Sequence, residues 1–308
     1  MSKIALAIPA YNAAWCLPRL LESARKQLIP FEETLVYDDF SSDNTAEIAE
    51  SYGAIVIRGK INKGCSVGKN ILLAQTTCDW IHFHDADDEL YPNFNGLAKK
   101  WVDKLDCPDV ILFDYEYREN NNGEFLSKSD FSREQLRNNP IPYAILNQIN
   151  PFCGLYNVAK LRAIGGYDTQ PEILFNEDVA FHCKLAIAGL TFDAEKEVSI
   201  INYHVPTSMS STNVLKCAQA HFNVMKINAD KVGGSCKEEI SFKLWRNAEI
   251  LASQSDWKTA KKSVQLAVEL NGRIPKEGSF VLKFLTLFSS YGGIVLREHL
   301  IRFFKRRS

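Results

Sequence analysis

The sequence predicts an α/β protein with a mostly parallel sheet, followed by a helical carboxyl-terminal region. Three observations carry this expectation. Short β-rich apolar runs alternate with stretches of helical spacing through the first part of the chain, the rhythm of βαβ units. Polar and acidic residues cluster just past several of those runs, at Asn12, Asp38-Asp39 and Asp85 to Asp88. Beyond Thr212 the pattern is helical almost throughout.

In chain order, Lys3 to Ile8 reads as a strand stopped by Pro9, and Leu17, Leu20, Leu21, Ala24 and Leu28 fall at helical spacing. Thr34 to Tyr37 and Ala54 to Ile57 read as strands on either side of a short helix from Asp43 to Ser51. Val67 to Gln75 is predicted helical, and Trp80 to Phe83 a buried strand that runs out into three carboxylates within four residues. A helix from Asn93 to Asp103 and a strand from Val110 to Tyr115 follow. Asn120-Asn121-Asn122-Gly123 reads as a hairpin tip, and the order from there to Phe152 is not legible. Gly154 to Asp168 reads as a strand, a short helix and a Gly165-Gly166 turn, with a helix at Asn176 to Gly189 and a strand at Glu197 to Tyr203. The remaining helices are expected near 212–230, 237–254 and 256–270, ending in a basic amphipathic stretch. These readings divide the chain into an α/β domain, 1–210, and a helical region, 211–308.

Composition narrows the function. A hydrophobic fraction of 46% beside 24% charged residues is that of a globular protein with a substantial core. The net charge of −1 argues against nucleic acid as a partner. Eight scattered cysteines without a Cys-x-x-Cys pair argue against a zinc ribbon or a disulfide framework. The start, Met1-Ser2-Lys3-Ile4, enters a strand at once and leaves no room for a signal peptide, and no run of about 18 apolar residues exists. The nearest, Phe280 to Leu296, is broken by Lys283 and a glycine pair. A reducing, cytoplasmic location is expected.

The Asp85-Ala86-Asp87-Asp88 run carries the most chemistry. Strand alternation would turn Asp85 and Asp87 to one side and Ala86 to the other. Two carboxylates at the carboxyl end of a strand suit Mg2+ or Mn2+ bridging to phosphate oxygens, although an acidic turn capping the next helix has the same letters. Pro9-Ala10-Tyr11-Asn12 could offer a ring face to a base, or simply pack its tyrosine on the sheet. Asp38-Asp39-Phe40-Ser41-Ser42-Asp43 supplies acceptors for base or ribose, or a helix cap. Asn62 to Asn70 has the outline of a P-loop, but its glycines stand one residue too close and Asn70 replaces the Ser or Thr that would ligate magnesium, so a nucleoside triphosphatase stays as an alternative. His82-x-His84 lacks the following Asp-His of zinc hydrolases and reads as two core histidines.

Taken in order over residues 1–210, these segments, with Gly165-Gly166-Tyr167-Asp168 and Asn176-Glu177-Asp178, resemble the inverting glycosyltransferases of family 2, of GT-A fold. The resemblance implies a nucleotide-sugar donor, a UDP-sugar by preference, a Mn2+ or Mg2+ cofactor held through the Asp-x-Asp motif, and an aspartate base. It places Tyr11 and Asp39 at the nucleoside, Lys69 near ribose or phosphate and Asp85 at the ribose, with Pro9, Asn12, Ala86 and Asp87 also binding the donor. Asp87, with Asp85 and Asp88, falls on the metal, and His204 lies near the diphosphate or the metal. Asp178 is the carried-over base and Glu177 the acceptor-side neighbour. The chain makes three departures from the family pattern: Phe40 for Gly, Gly68-Lys69 for Ala-Arg, and His84 for an apolar residue. A non-catalytic sugar-nucleotide-binding or scaffold protein is the other class left open. The acceptor would be a glycan or a lipid-linked glycan, with a bacterial cell-surface destination by analogy. Ser208 to Ser211 suits a loop closing over the donor. The 294–308 stretch mixes apolar residues with five cations, Arg297, Arg302 and Lys305-Arg306-Arg307, and suits either peripheral contact with an anionic membrane face or docking on its own domain.

Overall fold

The structure, a computed structural model, describes residues 2–206, 209–232, 234–271, 286 and 289–305. The chain divides into two compact units, the first formed by Met1–Pro140, Ile149–Thr169 and Lys184–Pro206, the second by Ile141–Gln148, Gln170–Cys183 and Thr207–Ser308. The last crossing between units falls between Pro206 and Thr207. Two earlier segments, however, belong with the helical region, a grouping that periodicity along the chain cannot reveal.

The first unit is a mixed α/β sheet flanked by helices, as predicted. Its strands are β1 (Ile4–Ala10), β2 (Glu33–Asp38), β3 (Ile55–Arg58), β4 (Trp80–Phe83), β5 (Glu89–Leu90), β6 (Val110–Glu119), β7 (Phe125–Lys128), β8 (Gly154–Asn157) and β9 (Phe192–His204). Among the described residues they order as β3-β2-β1-β4-β8-β6-β9-β5, with β7 beside β6. β1 to β4 are mutually parallel, β8 runs antiparallel to both β4 and β6, and β6 and β9 are parallel. The core is continuous apolar sequence, Ile4 to Ile8 and Val110 to Phe113 all being fully buried, as strands covered on both faces require.

Pro9 does not stop β1. The ladder with β4 reaches only Ala7, whose carbonyl accepts from the His84 amide, and Pro9, two residues on, faces the same side beyond the end of β4. The absent N–H at Pro9 thus loses no ladder bond. Helix α1 (Leu17–Arg25) buries Leu17, Leu20 and Leu21 but ends before Leu28, which is exposed. Helix α2 starts at Thr45 (Thr45–Ser51), because the Asp43 carboxylate turns back to accept from the amides of Thr45 and Ala14. Helices α3 (Cys65–Gln75) and α4 (Phe94–Val102) stand close to expectation. The Asn120–Gly123 turn does join a hairpin, β6 to β7, with Gly123 at φ +71°.

The segment that could not be read from sequence contains α5 (Arg133–Asn138), α6 (Pro140–Leu146) and a 3-10 turn at Pro151–Cys153, and β8 and α7 (Val158–Ala163) follow as the expected strand and short helix. Helix α8 (Glu177–Ile187) follows. In the second unit, α9 (Met209–Thr212) occupies most of the expected donor-closing loop, Ser208 lying outside the described residues. Then come α10 (Val214–Val232), α11 (Lys237–Ser253), α12 (Trp257–Asn271) and α13 (Ser290–Lys305). Part of the Phe280 to Leu296 apolar stretch, 280–285 and 287–288, also lies outside the described residues, and no described helix is long and apolar enough to cross a membrane.

Helix α13 settles one face against its own unit. Ile294 and Glu298 are buried, Arg297 pairs with Glu249 at 2.8 Å, and Arg302 bonds Glu298 and the Ala252 and Ser253 carbonyls. Its other face exposes Leu296, Leu300, Phe303 and Phe304.

Candidate active site

The acidic run follows β4 but is not part of it. The strand ends at Phe83, and residues 85–88 form a turn in which the Asp88 amide donates to the Asp85 carbonyl. The expected strand alternation of Asp85, Ala86 and Asp87 is therefore replaced by turn geometry, since β1 pairs with β4 only as far as Phe83. Asp88 is fully buried, and both its oxygens are engaged, accepting from the Asn202 side chain at 2.9 and 2.8 Å and from the Tyr203 amide at 2.9 Å. It anchors the turn to the end of β9. Across the turn, Arg19 of α1 donates to the Asp87 carbonyl and to Asn120 Oδ1, and its guanidinium lies 3.8 Å from the Tyr203 ring centre. Sequence reading missed Arg19, because no motif links a helix-α1 arginine to a turn 68 residues away.

The field at this turn calls for a cation. Burial, and then Asp85, raise the Asp87 carboxyl above its usual range, and burial with Asp87 and Asp85 pushes Asp88 well above it. Lys69, 2% exposed, brings Nζ to 3.9 Å from Asp85 Oδ1. No group of three or more His, Cys, Asp or Glu among the described residues forms a ready metal cage. Asp85 and Asp87 nonetheless fit a hard divalent ion of the kind that takes most of its ligands from phosphate and water. His204 directs Nδ1 to Glu119 Oε1 at 3.2 Å, at the end of β9.

At the ends of β1 and β2, Tyr11 is 53% exposed and Asn12 adopts φ +49°. The Asn12 side chain accepts from Ser42, its amide donates to Ser41 Oγ, and Asp38 accepts from the Ser41 amide. Between them Phe40 sits at φ +68°, 57% exposed, a backbone region that suits the glycine expected by resemblance and strains a phenylalanine. Asp39 is buried and accepts from the Lys63 and Gly64 amides, at 2.8 and 2.7 Å. This answers the P-loop alternative: two amides that would cradle a phosphate there are taken by an aspartate.

The other departures also have a local cause. A Cβ on Gly68 would stand 2.7 Å from the Tyr37 ring, so the alanine of the family pattern cannot fit where α3 crosses β2. Next to it, Asn70 accepts from the Tyr167 amide at 2.8 Å and donates to the Tyr167 carbonyl at 2.9 Å, as a strand neighbour would. Gly166, at φ +61°, permits this, because a Cβ there would meet Asn70 Oδ1 at 2.4 Å. Tyr167 is thereby fixed beneath Lys69, whose Nζ lies 5.3 Å from the ring centre, while Asp168 holds Lys184 at 2.7 Å. The Gly-Gly-Tyr-Asp segment thus supports the lysine that faces Asp85.

His82 and His84 are both fully buried. Nδ1 of His82 donates to the Gly154 carbonyl at 2.8 Å and the two rings meet at 2.9 Å. Burial lowers His82 to about 4 and His84 well below its usual value, so the pair is neutral, in keeping with core histidines. In the second unit, Glu177 and Asp178 stand in the first turn of α8 as expected, where a helix N-terminus favours carboxylates. Glu177 is buried, and its Oε2 has no hydrogen-bond partner among the described residues.

The family model described as glycosyl transferase family 2 matches residues 5–163, more than half of the chain. The protein is a family 2 glycosyltransferase. An uncharacterized glycosyltransferase of Rickettsia typhi is 27% identical over 219 residues, 69% of this chain and 68% of its own. The uncharacterized glycosyltransferase YibD of Escherichia coli is 35% identical over 95 residues, 30% of this chain and 28% of its own. Among solved structures, S. aureus TarS 1–349 in complex with UDP-GlcNAc superposes with a TM-score of 0.74 at 20% identity, covering 97% of this chain and 91% of that one. A mannosyltransferase of Pyrobaculum calidifontis, in complex with GDP-Man and Mn2+, gives 0.60 at 16% identity over 97% and 84%. These likenesses establish the shared fold. In this family 2 enzyme the polar cluster lies at the carboxyl ends of β1, β2 and β4, where open α/β sheets bind their ligands.

Proposed function

We propose that this enzyme transfers a sugar, with inversion, from a UDP-sugar to an acceptor hydroxyl in the building of a bacterial cell-surface glycan. The observation that carries the reading is the meeting of Lys69 with Asp85 beside Asp87, on the same sheet end as Tyr11 and Asp39. The UDP class is favoured by the TarS complex, which holds UDP-GlcNAc.

The roles follow from the chemistry of each group. The exposed ring of Tyr11 offers a stacking face to the base, with Pro9 and Asn12 shaping the loop that presents it. Asp39 retains acceptor capacity for the nucleoside while its bonds to Lys63 and Gly64 hold it in place. Lys69 balances charge where ribose and phosphates lie, and Asp85, with Ala86 leaving room beside it, contacts the ribose. Asp85 and Asp87 would hold Mn2+ or Mg2+. Such an ion, when bound, supplies positive charge to a leaving diphosphate. His204 keeps Nε2 for the diphosphate. Asp178 takes the proton of the acceptor hydroxyl as that oxygen attacks the anomeric carbon, and Glu177 faces the acceptor. Both carboxylate roles are carried by position in the family 2 pattern. The acceptor is a glycan or a lipid-linked glycan, reached from the inner face of the membrane, with the exposed Leu296, Leu300, Phe303 and Phe304 face of α13 and the basic 305–307 run resting on anionic lipid.

The test is a thermal-shift panel of nucleotides and nucleotide sugars with Mn2+ and with EDTA. Stabilisation by UDP or a UDP-sugar that requires Mn2+ supports the reading, and a response to ATP or GTP alone would overturn it.

A further inference from the structure

The turn that precedes α8 is held from one side by a single helix of the same unit. Residues 171–173 form a 3-10 turn, the Asn176 amide donates to the Ile173 carbonyl, and the Asn176 carbonyl accepts from Ala180, opening α8. Between them Phe175 adopts φ +76°, a left-handed backbone that a bulky residue does not take up unaided. Helix α10 meets this turn at four points. Asn223 donates to the Glu172 carbonyl at 2.8 Å. His221 Nδ1 donates to Asn176 Oδ1 at 3.0 Å. The Lys216 ammonium lies 5.2 Å from the centre of the Phe175 ring, and Cys217 lies near enough to Glu177 for that carboxylate to raise its thiol, after burial. Helix α10 is itself fixed from behind, Asn247 of α11 donating to the Ala218 carbonyl and Gln219 to Asp256.

We infer that His221 and Asn223 are positioning residues for the acceptor-side carboxylates: they hold the strained 172–176 turn so that Glu177 and Asp178 start α8 in a fixed orientation. The inference rests on the reading of Asp178 as the base, and it gives the helical region a part in the chemistry that its place in the sequence does not reveal. His221 suits a positioning task because it stays uncharged. Burial, and then Lys243, lower it to about 4, so at neutral pH the imidazole is a directional donor and neither a base nor a cation. Nothing else on the turn needs His221, since the Asn176 backbone is already paired through its amide and its carbonyl. What the histidine fixes is the Asn176 side chain, at the residue on which the first turn of α8 pivots. Misplacing a reacting group by about 1 Å costs on the order of 10²-fold in rate, so a tether of this kind matters for turnover well beyond its worth in stability.

The test compares His221→Ala, His221→Asn and Asn223→Ala, alone and in the Asp178→Asn background. Asparagine keeps a donor close to the position of the imidazole Nδ1, and alanine removes it. The readouts are hydrogen exchange at the amides of residues 172–180, thermal midpoint, and UDP release from UDP-GlcNAc with Mn2+. The expected result for His221→Ala is exchange at 172–180 faster by on the order of tenfold, with β1 and β4 unchanged. Its kcat falls by about 10- to 100-fold at constant donor KM, His221→Asn recovers most of that loss, and no further loss appears once Asp178 is already Asn. Asn223→Ala shows the same pattern more weakly. Unchanged exchange at 172–180 in both alanine variants, or a kcat loss that asparagine does not rescue or that persists in full in the Asp178→Asn background, would overturn the inference. Wild-type turnover by Asp178→Asn would instead remove the base assignment, and the exchange data would still report on the tether.

Discussion

Replacing Gly166 by alanine tests whether the Gly-Gly-Tyr-Asp segment supports the donor end in the way described. Gly165 and Gly166 both adopt positive φ, +79° and +61°, so either alanine must enter the left-handed region. That costs ~1–2 kcal/mol, offset in part by ~0.4–1 kcal/mol from the stiffer unfolded chain. At Gly165 this is the whole effect, because nothing lies within 4 Å of the added Cβ, and the net loss is ~1 kcal/mol. At Gly166 the Cβ would come 2.4 Å from Asn70 Oδ1 and 3.2 Å from Leu73 Cδ2, so Asn70 must leave and both its bonds to Tyr167 are lost. At ~1 kcal/mol for each bond the total reaches ~3 kcal/mol. Urea unfolding followed by tryptophan fluorescence measures both variants, and UDP titration measures the donor end. Gly166→Ala should be the less stable by ~2 kcal/mol and should bind UDP more weakly, because Tyr167 no longer braces Lys69. Its excess over Gly165→Ala should vanish in an Asn70→Ala background. Equal stability of the two glycine variants would refute the reasoning.

Phe40→Gly should stabilise the protein by ~0.5–1 kcal/mol in the same unfolding assay, since it relieves a left-handed phenylalanine that buries little; a loss of stability would show that the ring makes contacts that outweigh the strain. Asp87→Ala should abolish the tightening of UDP binding by Mn2+ in calorimetry while leaving the fold intact, and a Mn2+ effect equal to wild type would exclude Asp87 as a ligand. Deleting 294–308 would disturb the paired face of α13, so the membrane reading is better tested by Phe303→Ser/Phe304→Ser, which should lower pelleting with anionic liposomes by about tenfold at unchanged thermal midpoint; absence of pelleting by the intact protein would end that reading.

The alternation of strands and helices in the first unit and the C-terminal helices were legible because they rest on periodicity. Leu17, Leu20 and Leu21 announce α1, and continuous apolar runs announce buried parallel strands. The site motifs were legible as an ordered set, though not as geometry. The sequence places Asp88 beside Asp87 as one more carboxylate, whereas the fold turns it inward to Asn202 and Tyr203, 114 and 115 residues away. Arg19 carries no local signal, since its partners Asp87 and Asn120 gather around it only once the sheet has formed. Gly68 looked like a departure from the family pattern and is a steric answer to Tyr37. Strand β5 escaped reading because two residues, Glu89 and Leu90, have no period to detect. The grouping of Gln170–Cys183 with the helical region is likewise a property of contacts and not of composition.

The most direct test of the account is UDP release from a panel of UDP-sugars with Mn2+, comparing wild type with Asp178→Asn. The account predicts that at least one donor turns over, and that Asp178→Asn binds UDP like wild type but releases it at least ~100-fold more slowly, the usual loss for a missing general base. Turnover by Asp178→Asn close to wild type would contradict the mechanism, and no turnover of any UDP-sugar by the wild type, with or without added glycan acceptors, would contradict the proposed donor class.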